Sequence, residues 1–476
     1  MAYDSRRVQA GDLFAALTGL HTDGHRFVEQ AIERGAAAVL HQTELGTYQD
    51  RVAYVQVPDS RQAMSALAAA LYDHPSRELS VIGVTGTDGK STTVWLIHQL
   101  LEALGKPCGF ISTVQVKTHS AVKKNPLRQS TPEAPDIQRM LRRMVEAGKR
   151  YSVIEATSHG LSARTGRLST VEFAAAVCTN ISHEHLEFHG SFEQYRSDKA
   201  NLFRGLSAEG FGVVNLDDPN HQYLIDQSAA PVLGYGIENT AADLYAAKIR
   251  SDLSGSSFTL QNRFGAQPAR INLPGAYNLA NLLAAAVTVL RLVPVQLEDL
   301  VRLFPDLQGV PGRMEQVTAG QPFQVIVDYA HTPQSFSQLF PLVRTHTEGR
   351  LIAVFGSAGE RDVEKRPLQG KLAARFSDVV VLADEDPRGE DPVAILEEIA
   401  AGCRQEDPGR REGENLFLIP DRRQAIARAF TLAGAGDTVL LLGKGHEESI
   451  IYADGPIPWQ EGQTARQILG EMGWKP

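Results

Sequence analysis

Short apolar runs rich in β-branched residues alternate along the chain with longer stretches in which apolar residues recur at helical spacing. This alternation is typical of α/β domains with largely parallel sheets. The two most regular helical stretches predict helices at 91–105 and 278–292. The apolar runs predict strands, several of which end in small or charged residues, as strands do at the carboxyl edge of a binding sheet. These strands are predicted at 79–84, 151–156, 173–180, 211–216, 323–331, 351–359, 378–386 and 438–446.

The chain has 476 residues, which exceeds the size of one compact core and indicates several domains. A helix-breaking turn at 74–77 and a Pro-Gly-Arg segment at 311–313 predict two boundaries. The predicted α/β architecture therefore has three domains. They are an N-terminal domain with one short helix-strand pair (1–78), a central domain with a P-loop-type, mostly parallel sheet (79–312), and a C-terminal Rossmann-like domain (313–476).

Composition narrows the class of protein. The content of 43% hydrophobic and 22% charged residues is that of a folded globular chain, and a net charge of -9 argues against a binder of nucleic acid or anionic membranes. Cys108, Cys178 and Cys403 lie far apart, which favours neither a disulfide framework nor a thiolate zinc site. We find no signal peptide and no apolar run of about 18 residues. These features predict a cytoplasmic protein without a membrane span, with a monomer as the simplest state.

A glycine-rich segment, GVTGTDGKST at 83–92, follows the first strong strand and precedes a predicted helix. Such a turn presents free backbone N–H groups and the positive end of the helix dipole to a phosphate. Lys90 adds a mobile positive charge, and the Ser91 hydroxyl suits Mg²⁺. Strict P-loop spacing would put a glycine at Val84, whereas the glycines stand at 83, 86 and 89. A turn without a ligand is the alternative, but the position of Lys-Ser-Thr directly after a strand favours binding of ATP phosphates.

Polar residues are also concentrated after the next two predicted strands. Glu155 ends the strand at 151–156, where a carboxylate suits Mg²⁺. The segment 182–190 holds three histidines and two glutamates, which on composition alone suggests zinc. Because an HExxH spacing is missing, we expect a phosphate-bound hard cation instead. His183, His185 and His189 cannot all be ligands, and hydrogen bonding to the backbone is the alternative role for His183 and His189.

These motifs resemble those of the Mur ligases, and the resemblance covers nearly the whole chain. Among these enzymes, the sequence most resembles those that add the third amino acid to UDP-N-acetylmuramoyl-L-alanyl-D-glutamate. The central domain carries the resemblance in GTDGKST (86–92), EATSH (155–159), TN (179–180) and EHLEFHG (184–190). The outer domains carry it in DSR (4–6), GDLF (11–14), DGHRF (23–27), DYAHTP (328–333), GERD (359–362), KRP (365–367) and GKGHE (443–447).

The resemblance implies a peptidoglycan-synthesis enzyme that uses ATP and Mg²⁺ to form an amide through an acyl phosphate. It implies that Lys90 stabilises the transferring phosphoryl group, that Ser91 and Glu155 bind the magnesium of ATP, and that His185 binds a second magnesium. It also implies that Lys199, 14 residues after His185, is carbamylated. A carbamate converts the cation into an anion that helps to hold magnesium. Without the resemblance, Lys199 would be an ordinary exposed lysine of a helix.

The resemblance implies binding residues in all three domains. ATP would contact the loop residues Gly86, Thr87, Asp88, Gly89, Lys90, Ser91 and Thr92 together with Asn281, Arg313 and Asp328. It would then sit between the central and C-terminal domains, whose closure excludes water; helix capping is the alternative for Asn281. The implied partners are UDP-MurNAc-dipeptide and a diamino acid. Their predicted contacts are Ser5, Ser130, Thr131, Thr157, Ser158, Arg164, Arg167, Arg361, Asp386, Arg388, Gly443 and Glu447.

Two departures from the family pattern concern charged residues. Glu184 and Glu187 stand where the family usually has aspartates, which keeps the charge and lengthens the reach. Members that add meso-diaminopimelate usually carry Asp-Asn-Pro-Arg, whereas residues 385–388 here read EDPR. Asp386 adds a negative charge that suits a distal ammonium, while Arg388 suits a carboxylate. The third amino acid is therefore open between meso-diaminopimelate, L-lysine and L-ornithine.

Two other functions fit parts of the sequence. A related ligase, such as folylpolyglutamate synthetase or the enzyme that adds D-Ala-D-Ala, would share the mechanism. The DSR segment at 4–6 disfavours the folate enzyme, and the segments at 189–190 and 329–333 favour the ligase of the third amino acid. A P-loop kinase or an ATP-binding regulatory protein would form no amide and release no phosphate in response to an amino acid.

Overall fold

The structure of the protein is a computed structural model that describes residues 1–19, 22–127, 129–182, 184, 186–252, 254–263 and 265–474. Its contacts divide the chain into two compact units. The first comprises Met1–Arg250, Ser257–Ile271 and Ala276–Leu307, and the second comprises Ser251–Ser256, Asn272–Gly275 and Gln308–Pro476. The predicted boundary at 78 falls inside the first unit, so the division into three domains stays a prediction.

The N-terminal part of the first unit is built on a parallel sheet in the order β1-β2-β3. At the start of its second helix, the Asp59 carboxylate accepts hydrogen bonds from two backbone N–H groups, as a helix cap does. The predicted helix-strand pair is confirmed as α1 and β2; the other elements escaped prediction. The elements are β1 (Leu13–Ala15), α1 (Val28–Glu33), β2 (Ala38–His41), β3 (Ala53–Gln56) and α2 (Ser60–Leu71).

The rest of the first unit is built on an eleven-stranded sheet in the order β14-β13-β12-β11-β10-β9-β4-β8-β5-β6-β7. Its middle, from β11 to β5, is parallel, which confirms the predicted mostly parallel sheet. The first strands are β4 (Ser80–Thr85), β5 (Cys108–Ile111), β6 (Gln115–Lys117), β7 (Lys123–Lys124), β8 (Tyr151–Glu155) and β9 (Ala175–Cys178). The remaining strands are β10 (Phe211–Asn215), β11 (Val232–Gly236), β12 (Leu244–Asp252), β13 (Gly255–Asn262) and β14 (Gly265–Ile271).

Helices cover this sheet. The two predicted long helices are confirmed as α3 and α9, which pack against each other. Their order in the chain is α3 (Lys90–Ala103), α4 (Ala134–Glu146), α5 (Ser158–Leu161), α6 (Leu186–His189), α7 (Phe192–Arg204), α8 (His221–Asp226), α9 (Ala276–Leu292) and α10 (Leu297–Val301). Strand β4 is a continuous apolar run because both of its faces are buried between such helices. Its carboxyl end therefore delivers the glycine-rich loop directly to the start of α3.

The second unit has a six-stranded sheet in the order β15-β16-β20-β17-β18-β19, parallel except for β15. The four strands predicted after residue 320 are confirmed as β16, β17, β18 and β20. The strands are β15 (Glu315–Gln316), β16 (Gln324–Asp328), β17 (Leu351–Phe355), β18 (Val379–Leu382), β19 (Leu416–Leu418), β20 (Thr438–Leu442), β21 (Ser449–Tyr452) and β22 (Gly455–Pro458). The helices are α11 (Pro333–Thr345), α12 (Lys365–Phe376), α13 (Pro392–Glu406), α14 (Arg422–Leu432) and α15 (Glu461–Glu471).

A fully buried ion pair fixes the carboxyl edge of this second sheet. The Arg422 guanidinium donates to the Glu461 carboxylate at 2.6 Å, to the carbonyl of Asp384 at 3.0 Å and to that of Leu442 at 2.6 Å. The two carbonyls follow β18 and end β20, so one side chain holds both strand ends in place. Among the described helices of the protein, none combines the length and apolar character needed to cross a bilayer.

Candidate active site

The glycine-rich loop lies between β4 and α3, and two of its glycines are required by crowding. Gly86 and Gly89 both have positive φ angles, 146° and 81°. A Cβ atom on Gly86 would lie 1.9 Å from Thr179 Oγ1, and one on Gly89 would lie 2.2 Å from Asn281 Oδ1. Only glycine allows the loop to fold this closely onto the end of β9 and onto α9.

Gly83 has a different role, which explains the irregular glycine spacing. It lies inside β4, where a Cβ atom would come within 2.6 Å of Leu202 Cδ1 and 2.9 Å of Phe173 Cε1. Gly83 therefore allows α7 to pack closely on the sheet and is not part of the loop. The predicted phosphate-binding turn is the shorter segment 86–89.

Side chains that follow β9 hold the loop in shape. The Asn180 side chain pairs with Asp88 at two points: its Oδ1 accepts from the Asp88 N–H at 2.9 Å, and its Nδ2 donates to the Asp88 carbonyl at 3.1 Å. Thr87 Oγ1 accepts from the Ser182 N–H at 2.9 Å and lies 3.0 Å from the hydroxyl of Tyr195. The Thr-Asn motif at 179–180 thus stabilises the conformation of the phosphate loop.

Lys90 is the first residue of α3, and its side chain curls back over the loop. Its Nζ donates to the carbonyls of Gly86 at 3.1 Å and Thr87 at 2.6 Å. The ammonium is therefore held beside the free N–H groups of the first turn of α3, where a phosphate would lie. Asn281 lies on the other side of the turn and accepts a hydrogen bond from Thr93 Oγ1 at 3.3 Å.

The predicted magnesium ligands Ser91 and Glu155 meet at the carboxyl ends of β4 and β8. Ser91 Oγ donates to Glu155 Oε2 at 2.8 Å, and both side chains are buried. The same carboxylate accepts from the N–H and the hydroxyl of Thr113, at 2.9 and 2.8 Å. A buried carboxylate beside a hydroxyl at a phosphate loop is an oxygen donor set of the kind that Mg²⁺ prefers, so these residues fit the ion.

Lys199 approaches the loop from α7. It is 1% exposed, its Nζ donates to the Gly86 carbonyl at 2.5 Å, and the ammonium lies 4.5 Å from the ring centroid of Tyr195. Burial, aided by the positive charge of Lys90, lowers the pKa of Lys199 to about 7. The amine is therefore partly neutral at neutral pH. The expectation of an exposed lysine without the family resemblance is wrong, because the side chain points into the sheet edge.

The histidine-rich segment is only partly described. The predicted ligand His185, like His183, lies outside the described residues, and its metal role stays a prediction. His189 is buried at the end of α6, with Nδ1 2.7 Å from Asp198 Oδ2 and Nε2 3.0 Å from Ser158 Oγ. Both ring nitrogens thus bond to side chains, so the alternative of backbone hydrogen bonding is wrong for His189. Within the described ranges, no three His, Cys, Asp or Glu side chains form a metal-binding group.

The predicted contacts of the muramoyl-peptide form a hydroxyl cluster next to Glu155. Thr131 Oγ1 donates to the Glu155 carbonyl at 2.7 Å, accepts from the Thr157 N–H at 3.0 Å and lies 2.9 Å from Thr157 Oγ1. Ser130 Oγ lies 2.7 Å from the Thr113 hydroxyl that also bonds Glu155. The hydroxyls and the predicted magnesium ligands therefore share one sheet edge.

The two predicted arginines have different partners. Arg167 donates to the Glu133 carboxylate at 2.7 Å and to the Thr131 carbonyl at 3.0 Å. Arg164 donates to the Phe188 carbonyl at 2.7 Å and lies over that ring. Arg167 therefore borders the hydroxyl cluster, whereas Arg164 holds the end of α6.

Ser5 is the predicted substrate contact in the N-terminal part of the unit. Its hydroxyl donates to Gln30 Oε1 at 2.6 Å, and the residue is buried. The Tyr3 hydroxyl donates to Asp136 at 2.6 Å, which ties this part of the chain to α4.

In the second unit, the predicted nucleotide residues flank Tyr329. The Asp328 carboxylate accepts from the N–H groups of Met314 and Ala330, both at 2.8 Å. The guanidinium of Arg313 lies 4.7 Å from the centroid of the Tyr329 ring. Asp328 therefore holds the residues that directly follow Arg313 and Tyr329, and its ribose contact stays a prediction.

In the second unit, a buried lysine bonds two of the residues that are predicted to contact the substrates. Lys444 Nζ donates to Asp386 Oδ1 at 2.7 Å and also bonds Glu447 Oε2. Lys444 is 0% exposed, and Asp386 Oδ1 also accepts from the Ile451 N–H at 3.0 Å. Two carboxylates around one ammonium leave one negative charge in excess.

Other predicted residues border this cluster. A Cβ atom on Gly443 would lie 2.9 Å from Glu385 Oε2, and burial raises the pKa of Glu385 to about 7. Arg388 has a φ of 55°, and its N–H donates to the Ile451 carbonyl at 2.9 Å. Arg361 is exposed, just before α12. The residues 385–388 and 443–447 therefore meet at one edge of the second sheet.

Comparisons with known proteins identify the family of this chain. Three domains of the Mur ligase family match the chain: the catalytic domain at residues 1–72, the middle domain at 84–289 and the glutamate ligase domain at 312–445. A UDP-N-acetylmuramyl-tripeptide synthetase of Roseiflexus sp. (strain RS-1) is 50% identical over 488 residues, which cover 100% of this chain and 95% of that protein. The chain belongs to the Mur ligase family. It is therefore an ATP-dependent ligase.

Two further comparisons extend over similar lengths. A UDP-N-acetylmuramyl-tripeptide synthetase of Treponema denticola is 45% identical, with 98% of this chain and 93% of that protein covered. A solved UDP-N-acetylmuramoyl-L-alanyl-D-glutamate–2,6-diaminopimelate ligase is 32% identical with a TM-score of 0.67, and the match covers 99% of this chain and 94% of that one. The predicted α/β fold is confirmed as that of a Mur ligase.

One residue in each unit has contacts that the sequence analysis did not predict. Thr113 bonds Glu155 twice, and Lys444 bridges Asp386 and Glu447. Thr113 lies just after β5, which pairs with β8. Its position at the carboxyl edge of the sheet is the feature that could have pointed to it as a site residue. Lys444 lies within the GKGHE motif, but only the fold reveals its partners.

Proposed function

We propose that this Mur ligase joins a diamino acid to UDP-MurNAc-L-Ala-D-Glu, with ATP converted to ADP and phosphate. The observation that carries the proposal is the junction of Ser91 and Glu155 beside the Lys90 loop, with the hydroxyl cluster at the same sheet edge. The proposed nucleotide site and the proposed site for the second substrate would thus be adjacent. The names of the similar proteins supply the substrate class.

The proposed reaction begins with activation of a carboxylate, which alone is a poor electrophile. The γ-phosphate moves to the substrate carboxylate, the amine attacks the acyl phosphate, and phosphate leaves. Lys90 and the first N–H groups of α3 stabilise the charge of the transferring phosphoryl group. Magnesium held by Ser91 and Glu155 would neutralise further charge on the phosphates. Asn281 supports the nucleotide from α9, and Arg313 and Asp328 stay predicted nucleotide contacts.

Lys199 is proposed to carry a carbamate. CO₂ adds only to a neutral amine, and burial keeps part of the Lys199 amine neutral at neutral pH. The resulting anion would replace a buried cation by a group that helps to bind magnesium together with His185. The cytoplasmic location and the monomeric state of the enzyme remain predictions.

A phosphate-release assay tests the function. We expect release from ATP to require both UDP-MurNAc-L-Ala-D-Glu and one of meso-diaminopimelate, L-lysine or L-ornithine. With a P-loop kinase or regulatory protein, phosphate release would not depend on the amino acid. A folylpolyglutamate-type ligase would release phosphate with a different carboxylate substrate. Release that is independent of the dipeptide substrate would refute the proposal.

The choice of diamino acid is predicted to depend on Asp386. Its replacement by asparagine removes the excess negative charge around Lys444, so a distal ammonium is bound less well and a distal carboxylate better. We expect Asp386→Asn to shift the ratio of kcat/KM for meso-diaminopimelate over L-lysine upwards by about tenfold, or about 1.4 kcal/mol.

Steady-state rates with meso-diaminopimelate, lysine and ornithine measure this shift. Glu397→Gln removes an acid from α13 that pairs with Arg404, and serves as the control with an unchanged ratio. Unchanged relative kcat/KM values for Asp386→Asn would show that this residue does not select the amino acid.

A further inference from the structure

His189 links two elements of the site that the proposed reaction uses. Its side chain is 0% exposed, Nε2 lies 3.0 Å from Ser158 Oγ, and Nδ1 lies 2.7 Å from Asp198 Oδ2. Gln194 Nε2 donates to the other Asp198 oxygen at 3.0 Å. The ring is therefore held at both nitrogens, between the start of α5 and the middle of α7.

The carboxylate sets the direction of these hydrogen bonds. A carboxylate only accepts, so the neutral ring carries its proton on Nδ1 and donates to Asp198. Nε2 then accepts from the Ser158 hydroxyl. Asp198 thus fixes both the orientation and the tautomer of the ring, and the ring in turn fixes the rotamer of Ser158.

The serine lies in the turn that carries the predicted ligands. Strand β8 ends at Glu155, Thr157 caps α5 through a hydrogen bond from the Gly160 N–H at 3.2 Å, and Ser158 begins that helix. Ser158 is the third residue after Glu155 along the chain. Because Ser91 and Thr113 hold the Glu155 carboxylate separately, we expect a displacement of Ser158 to move the adjacent Thr157 hydroxyl more than Glu155.

One face of α7 serves the opposite side of the site. Tyr195, Asp198 and Lys199 are spaced three and four residues apart, so they lie on the same face. Tyr195 reaches Thr87 at 3.0 Å, and Lys199 reaches the Gly86 carbonyl at 2.5 Å. The same helix face thus contacts the phosphate loop directly and the Glu155 turn through His189.

We propose that His189, held by Asp198, is a positioning residue that locks the Glu155–Ser158 turn onto the helix that carries Lys199. The inference rests on the proposed function, because it assigns substrate hydroxyls and magnesium ligands to this turn. It predicts that loss of the His189–Ser158 bond loosens the muramoyl-peptide side of the site more than the nucleotide side.

Two substitutions separate the two bonds of the ring. In His189→Gln the amide reaches the place of Nε2 and keeps a bond to Ser158, whereas in His189→Asn the amide lies at the place of Nδ1 and keeps only the bond to Asp198. We expect His189→Asn to raise KM for UDP-MurNAc-L-Ala-D-Glu about tenfold and to lower kcat, with KM for ATP changed less than about twofold. His189→Gln should retain most of the wild-type KM.

A double-mutant cycle identifies the route of the effect. If His189 acts through Ser158, adding His189→Asn to Ser158→Ala should raise KM for the dipeptide substrate no further. His98→Gln is the matched control, because His98 is a buried histidine of the same unit that packs on Trp95 and Phe110. It should lower Tm and leave all KM values unchanged.

The outcomes are distinguishable. Additive KM effects in the cycle, or equal rises in KM for the dipeptide, ATP and amino acid, would overturn the positioning role. A change in Tm without a change in KM would also overturn it, because it would match the His98 control. Failure of the wild-type enzyme to release phosphate in response to the dipeptide would instead refute the proposed function.

Discussion

Replacement of Lys90 by alanine should lower kcat for phosphate release by about 10²- to 10³-fold or more, the loss typical of one preorganised donor to a transition-state charge. Lys90 is held by the carbonyls of Gly86 and Thr87, so its ammonium needs little reorganisation to reach a phosphate. An arginine at this position cannot fold back over the loop in the same way, because its planar fork is larger. Lys90→Arg should therefore also be severely impaired.

Initial rates of phosphate release at saturating UDP-MurNAc-L-Ala-D-Glu and amino acid measure kcat. Calorimetry with a non-hydrolysable ATP analogue measures nucleotide affinity. Lys106→Ala, just beyond the end of α3, is the control and should behave as the wild type. If Lys90→Ala keeps more than about a tenth of the wild-type kcat, the loop does not serve the transferring phosphoryl group in the way we propose.

Strand positions were predicted most accurately for strands that are buried on both faces. β4, β8, β9 and β10 read as continuous apolar runs because helices cover both sides of the sheet, and each was located within a few residues. By contrast, β12 has one exposed face and a mixed pattern of burial, and β1 has only three residues. Neither leaves a clear period in the sequence.

The glycines at 83, 86 and 89 have two different structural roles, which only the structure distinguishes. Gly86 and Gly89 shape the phosphate loop, whereas Gly83 makes room for Leu202 of α7. A sequence pattern records a missing side chain but not the neighbour that requires it. The same limit applies to Lys444, whose partner Asp386 is 58 residues away in the chain.

The histidine-rich segment shows why composition overstates metal binding. His189 lies in the same short segment as His183 and His185, yet its nitrogens are occupied by Ser158 and Asp198. Asp198 is on a different helix, so the histidine's partners could not be inferred from local spacing. Composition located the segment, but tertiary contacts decide what each histidine does.

Replacement of Lys199 by methionine should abolish most activity, by about 10²-fold or more, while relieving a cost of folding. Methionine fills similar space without a charge, so the substitution separates the chemistry of the amine from its packing. The amine is buried, and its pKa of about 7 lies below that of an unfolded lysine. The unfolded chain therefore binds more protons between pH 7 and about 10.5, and the wild-type free energy of unfolding rises over that interval.

Two pH dependences follow for Lys199. The stability of Lys199→Met relative to the wild type should be greatest below pH 7, where the wild type must bury an ammonium, and this difference should decline as pH rises towards about 10.5. For the wild type at limiting bicarbonate, the rate should rise between pH 6 and 8, because CO₂ adds only to the neutral amine. Chemical denaturation at several pH values and initial rates with and without bicarbonate measure the two effects.

Carbon-13 bicarbonate identifies the adduct directly. The wild-type enzyme should show a carbamate resonance that disappears on acidification and is missing from Lys199→Met, whereas Lys123→Met, on the exposed strand β7, should retain both the resonance and the activity. An inactive Lys199→Met with no resonance in the wild type would assign the role to the ammonium itself, which donates to the Gly86 carbonyl. An active Lys199→Met would remove Lys199 from the site altogether, since its burial beside the phosphate loop would then reflect packing alone.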